Sequence, residues 1–165
     1  HLGFVLKLDV FQLKTAFTFL KLSSDSSENF SYLFKMNFHT FLRSEFSEEN
    51  IEFWMACEEY RKSKDAMQLP LKAKTIYETF IERESPKEVN LDFNTKVSVN
   101  QNMVHPTHNT FDAAQNKIYA LMEQDSYPRF LKSNLYLDLL HSQRFVSYPG
   151  STVDNLLQTL HTHVL

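Results

Sequence analysis

Between Phe38 and Trp54 the chain changes character within a few residues. Phe38, Phe41 and Leu42 are spaced as on one face of a helix, and a polar knot from Ser44 to Asn50 then breaks the pattern. Ser47 is a good N-cap residue. Glu48 and Glu49 fall in the first turn of the next helix, where the macrodipole favours carboxylates. From Ile51 onward, Phe53, Trp54, Met55, Ala56, Cys57 and Tyr60 wrap around most of that helix and predict a buried body. The local pattern is a helix–turn–helix corner with a well-made cap. It leaves Asn50 unexplained, because asparagine is a poor helix former and this one stands beside Glu48, Glu49 and Glu52 at the solvent end of a buried helix.

The rest of the chain supports an all-helical reading. With 165 residues the expectation is one domain holding a genuine core. Two Gly and five Pro leave few breakers, and fifteen Phe predict a phenylalanine-dominated interior. A net charge of −3 with scattered basic residues argues against nucleic acid as a partner. The single cysteine, Cys57, excludes an internal disulfide and reads as a small buried hydrophobe. Residues 2–22 are rich in Leu, Phe and Val, but Lys7, Asp9, Lys14 and Lys21 interrupt them. That segment is therefore expected to be neither a membrane span nor a secretion signal.

In order, residues 23–28 read as a polar linker, and 61–65 as a solvated helix end. Pro70 marks a helix entry, Ala73, Ile76, Tyr77, Phe80 and Ile81 form an apolar stripe, and Ser85-Pro86 ends it. Val89 to Phe93 reads as an extended connection, with Thr95 capping a short helix to about Asn102. Pro106-Thr107 is expected to open a helix that turns Phe111, Ala114, Ile118, Leu121 and Met122 inward and stops near Gln124. Asp125 or Ser126 then caps a helix with Pro128 in its first turn. Leu135, Leu137, Leu139 and Leu140 carry helical content to residue 141. After the turn at Tyr148-Pro149-Gly150, Val153, Leu156, Leu157, Leu160 and Val164 suit a short amphipathic helix.

Chemistry is sparse. There is no Gly-rich phosphate loop and no H-E-x-x-H, and no Glu is followed three residues later by His. His105, His108, His161 and His163 read as surface histidines, so no metal and no cofactor is expected. Glu48, Glu49 and Glu52 are explained by capping and solvation more simply than as an acid–base cluster.

The run Glu45-Phe46-Ser47-Glu48-Glu49-Asn50-Ile51-Glu52-Phe53-Trp54, with Ala56-Cys57-Glu58-Glu59-Tyr60, resembles the signature of the regulators of G-protein signalling. A second block from Asp125 to Ser133 matches the far end of the same domain. Val89-Asn90-Leu91-Asp92 and Phe111-Asp112-Ala113-Ala114-Gln115 fall between them in the expected order. The resemblance covers about residues 36–144. It departs at the N-terminal side, where the family's usual Trp-led helix, Leu pair and Gly are missing around Phe30 to Phe38, and at Lys96, where many relatives carry Arg.

The resemblance implies an all-α fold of about nine helices around a central antiparallel four-helix bundle. It places the domain at 30–144, with 1–29 an N-terminal segment and 145–165 a tail. It also implies a monomeric GTPase-activating module for the GTP-bound Gα subunit, of the Gi/o or Gq class, with no catalytic chemistry of its own. The implied location is the cytoplasm, with recruitment to the inner face of the plasma membrane left open. The alternative is a non-catalytic homologous scaffold for another partner. Carried over by position, the Gα-binding residues are Phe46, Ser47, Glu49 and Asn50 at a first corner, Asn90 at a second, and Leu121, Asp125, Ser126 and Arg129 at a third. Arg129 is expected to hold Asp125. Leu121 suits a core position equally well, from its spacing to Ile118.

Overall fold

The computed structural model describes residues 27–144. Residues 2–22 and the expected helix beyond Val153 lie outside the described residues, as does most of the 23–28 linker; its last two residues, Ser27 and Glu28, already belong to a helix. Helices run α1 Ser27–Ser44, α2 Glu48–Arg61, α3 Leu69–Ile76, α4 Phe93–Asn102, α5 Asp112–Leu121, α6 Tyr127–Phe130 and α7 Asn134–Arg144. Wider π-type turns, Tyr77–Ile81 and Met122–Ser126, follow α3 and α5, and a 3-10 turn, Ala66–Gln68, precedes α3. The described residues contain no strand.

Two compact units result, one from residues 47–122 and one from the segments on either side. In the 47–122 unit, side-chain contacts fix an antiparallel bundle. Lys72 at the start of α3 donates to Ser63 Oγ, just past α2, at 2.9 Å. Lys87, beyond the far end of α3, pairs with Glu52 near the start of α2. Arg61 at the end of α2 meets Asp112 at the start of α5 at 2.7 Å. Asn102 reaches the Thr110 carbonyl at 3.3 Å, while at the other end of α4 Asp92 faces Lys117 at 3.6 Å. Inside, Phe53 packs on Phe80 and Phe111 with ring centroids 5.6 and 6.5 Å apart, and Tyr60 lies edge-on to Phe111 at 5.2 Å. These tilted and edge-on geometries are the ones the ring quadrupoles favour.

The flanking unit rests on a second aromatic cluster. Phe34, Phe38 and Phe41 recur at helical spacing along α1 and meet Tyr127 and Phe130 of α6 and Tyr136 of α7. The Phe-dominated interior is thus borne out.

Four local expectations need correction. Asp92, not Thr95, caps α4: its Oδ1 accepts the Thr95 N–H at 2.9 Å and its Oδ2 the Thr95 hydroxyl at 2.7 Å, so the helix starts at Phe93. The two carboxylate oxygens of Asp92 thus take one donor each, the amide and the hydroxyl of Thr95. Helix α5 begins at Asp112 rather than Pro106. Thr110 Oγ donates to the Thr107 carbonyl and accepts the Thr107 N–H, at 2.7 and 2.8 Å, closing that stretch into a turn of its own. The helix after Pro70 ends at Ile81, before Ser85-Pro86, because Glu82 is extended (ψ 145°) and Glu84 left-handed (φ 60°). Finally, Arg61 is no solvated helix end. It bonds Glu58, Asp112 and Gln115, and Gln115 also donates to the Trp54 carbonyl and to Glu58.

Candidate protein-binding surface

The first corner turns on Phe46, whose φ of 54° is left-handed and which is 92 % exposed. A bulky residue in that region is strained. Its N–H still donates to the Arg43 carbonyl at 3.1 Å, which closes the end of α1. Ser47 then occupies the expected N-cap position of α2, and its carbonyl accepts the Asn50 N–H at 3.3 Å. Glu49 is half-buried. Asn50 is only 6 % exposed, and its Oδ1 has no hydrogen-bond partner among the described residues.

The second corner is pinned by alternation. Val89 and Leu91 are buried, Asn90 between them is exposed, and the Val89 N–H donates to the Phe80 carbonyl at 2.9 Å. Glu88 accepts from Lys96 at 2.6 Å and from the Glu84 N–H at 2.9 Å. Those two bonds, Lys96 first, hold its carboxyl below the usual range. Asp92 is lowered likewise, chiefly by the Thr95 hydroxyl and amide.

At the third corner Leu121 is 37 % exposed while Ile118 and Met122 beside it are fully buried, so Leu121 takes the surface alternative. Arg129 Nε and Nη2 donate to the two oxygens of Glu45 at 3.0 and 2.8 Å, a bidentate fork, and Nη1 donates to Asp125. The Glu45 hydrogen bonds, then Asp125, raise the guanidinium further above its ordinary value. Ser126 beside them is buried. Glu45 escaped the sequence reading. Its partner lies 84 residues away, and a carboxylate just past a helix carries no local sign of a remote one.

Because α2 runs antiparallel to α5, and α5 to α4, the start of α2, the 89–92 stretch and the end of α5 share one end of the bundle. That end carries Ser47, Glu49, Asn50, Asn90 and Leu121. In the flanking unit, Arg129 gathers Asp125 and Glu45, next in chain to Phe46. An open depression of about 590 Å³, lined by Pro70, Lys74 and 103–107, lies at the opposite end of the bundle. Among the described residues no three His, Cys, Asp or Glu gather as a metal site, and no helix is long and apolar enough to cross a membrane. Cys57 is buried, and burial raises its thiol pKa well above the usual value, leaving little thiolate to act as a nucleophile.

Among the described residues the chain is all-helical, with polar side chains at the inter-helix corners of an antiparallel bundle. Residues 18–139 match the family model described as the Regulator of G protein signaling domain, and the chain belongs to that family. It is 59 % identical over 106 residues to human regulator of G-protein signaling 18, covering 64 % of this chain and 45 % of that protein. It is 53 % identical over 107 residues to human regulator of G-protein signaling 21 (65 % and 70 %), and 52 % over 111 residues to rat regulator of G-protein signaling 8 (67 % and 62 %). The chain thus spans about half the length of the first of these relatives and more of the other two.

Proposed function

We propose that this chain accelerates GTP hydrolysis by a heterotrimeric Gα subunit of the Gi/o or Gq class. It does so as a monomeric domain over 30–144, through Phe46, Ser47, Glu49, Asn50, Asn90, Leu121, Asp125, Ser126 and Arg129. Phosphoryl transfer is catalysed chiefly by positioning and electrostatics, and a Gα subunit brings its own arginine and its water-orienting glutamine. A partner need only hold the switch segments in transition-state geometry. A hundredfold gain corresponds to about 2.7 kcal/mol of differential binding, within reach of a few buried hydrogen bonds.

The observation that carries this reading is Asn50. A buried acceptor without a partner costs roughly 1–3 kcal/mol, and a helix start has many cheaper residues to offer. Its amide can both donate and accept, so one side-chain rotation presents it to two groups of a partner. Arg129 supports the reading by holding the exposed Asp125 carboxylate ready to accept from a switch backbone. The domain works at the cytoplasmic side of the membrane, where Gα resides.

Single-turnover GTP hydrolysis by a panel of Gα subunits, with and without the chain, tests the proposal. A rise of at least tenfold for one or more is expected. No rise with a folded chain overturns it, and binding indifferent to nucleotide state would mark a scaffold instead.

A further inference from the structure

We propose that Phe93 is a partner-selecting contact: an apolar anchor seated against a hydrophobic patch of the Gα subunit, beside the segment that Asn90 reaches. The inference rests on the activator reading and extends it to a residue outside the corner set carried over by resemblance.

Phe93 is the first residue of α4 and is 79 % exposed. It belongs to neither aromatic cluster. The fold does not need it as a cap, since Asp92 supplies both capping bonds to Thr95. Its position is nonetheless fixed. Buried Leu91 and Val89 pin the approach, the Asp92 cap sets the direction of α4, and Asp92 faces Lys117 of α5 at 3.6 Å. The ring therefore stands on a rigid base, three residues beyond Asn90, at the end of the bundle that carries Asn50 and Leu121. Lys96, one turn further on, is engaged by Glu88 at 2.6 Å, which leaves Phe93 the large side chain on this turn without such a tie.

Solvent exposure of a whole phenyl ring on a preordered backbone has a definite energetic sense. The ring gains nothing in the free chain, and it can be buried in a complex with only two side-chain torsions to immobilise. Aromatic side chains of this kind dominate binding energy when they fill a pocket at the edge of polar contacts. The occupant follows from continuity: whatever Asn90 touches must extend over a neighbour three residues along a rigid stretch. Because a ring discriminates by the shape and polarity of the patch it meets, its loss should fall unequally on different Gα subunits.

The test is binding of the full chain and of Phe93→Ser and Phe93→Leu to a panel of Gα subunits loaded with GDP and aluminium fluoride, alongside thermal melting. Phe93→Ser should weaken binding to the preferred subunit about tenfold, change weaker subunits less, and leave the melting temperature unmoved. Phe93→Leu should restore most of the affinity. If wild type binds and Phe93→Ser stays within about twofold for every subunit, this inference fails while the activator reading stands. A matching fall in melting temperature would make Phe93 structural and also overturn it. Wild type failing to bind any loaded subunit overturns both.

Discussion

At the scale of single residues, Asn50 and Arg129 separate binding chemistry from folding. Asn50→Ala removes an amide whose Oδ1 has no partner among the described residues, so the fold should lose little, within about 1 kcal/mol. Acceleration of Gα should fall by tenfold or more in single-turnover assays. Arg129 sits in an exposed network, worth no more than about 1 kcal/mol to stability. Arg129→Ala should nevertheless abolish most acceleration, because Asp125 is then unheld. Arg129→Lys should rescue poorly, since a point charge cannot grip Glu45 with two donors and still reach Asp125. Full rescue by lysine would refute the positioning role. Equal losses of activity and melting temperature in both variants would make these residues structural. Much of this corner was legible in sequence: Asn50 stood out because a poor helix former opened a buried helix. The left-handed backbone of Phe46 and the reach of Glu45 were not, because both are imposed by packing far along the chain.

At the scale of elements, the sequence is ambiguous where two competent residues could do one job. Asp92 and Thr95 can each cap, and the carboxylate wins by satisfying Thr95 twice. Arg61 reads as a helix-end cation until α5 brings Asp112 and Gln115 to it, information that no window of ten residues contains. The apolar stripe of Ala73, Ile76, Phe80 and Ile81, by contrast, was set by periodicity alone. The capped corner also makes a pH prediction. Glu88 and Asp92 titrate lower in the fold than their ordinary values of 4.5 and 3.8. The folded chain therefore binds fewer protons than the unfolded chain in that range, and stability must fall with falling pH. The contribution is complete above those ordinary values and is lost as pH drops through the lower folded ones. Asp92→Asn keeps an acceptor for the Thr95 amide but no charge to titrate. Thermal melting from pH 7 to about pH 3 should show a shallower acid limb for this variant than for wild type. Superimposable limbs would mean Asp92 is not a source of the acid sensitivity.

At the scale of the whole molecule, the order of the chain sets an asymmetry between the two units. The 47–122 unit is one continuous stretch, whereas the flanking unit is assembled from segments on either side of it. Joining those segments while 47–122 is unfolded means closing a loop of that length, at a cost of about 4 kcal/mol from the logarithmic dependence on loop length. Folding of 47–122 removes the cost. Its first and last helices, α2 and α5, are antiparallel, so Ser47 and Met122 emerge at one end. The aromatic cluster of Phe34, Phe38, Phe130 and Tyr136 should thus depend on the bundle, while the bundle, with its own Phe53–Phe80–Phe111 core, should not depend equally on that cluster. Removing a buried phenyl ring costs about 3–5 kcal/mol in either place. Phe53→Ala should therefore raise amide hydrogen exchange in α1, α6 and α7 as well as in α2–α5. Phe38→Ala should raise it in α1, α6 and α7 while α2, α3 and α5 stay protected. Exchange measured residue by residue on the two variants decides the matter, and a symmetrical response would show that chain connectivity does not order the stability of the units.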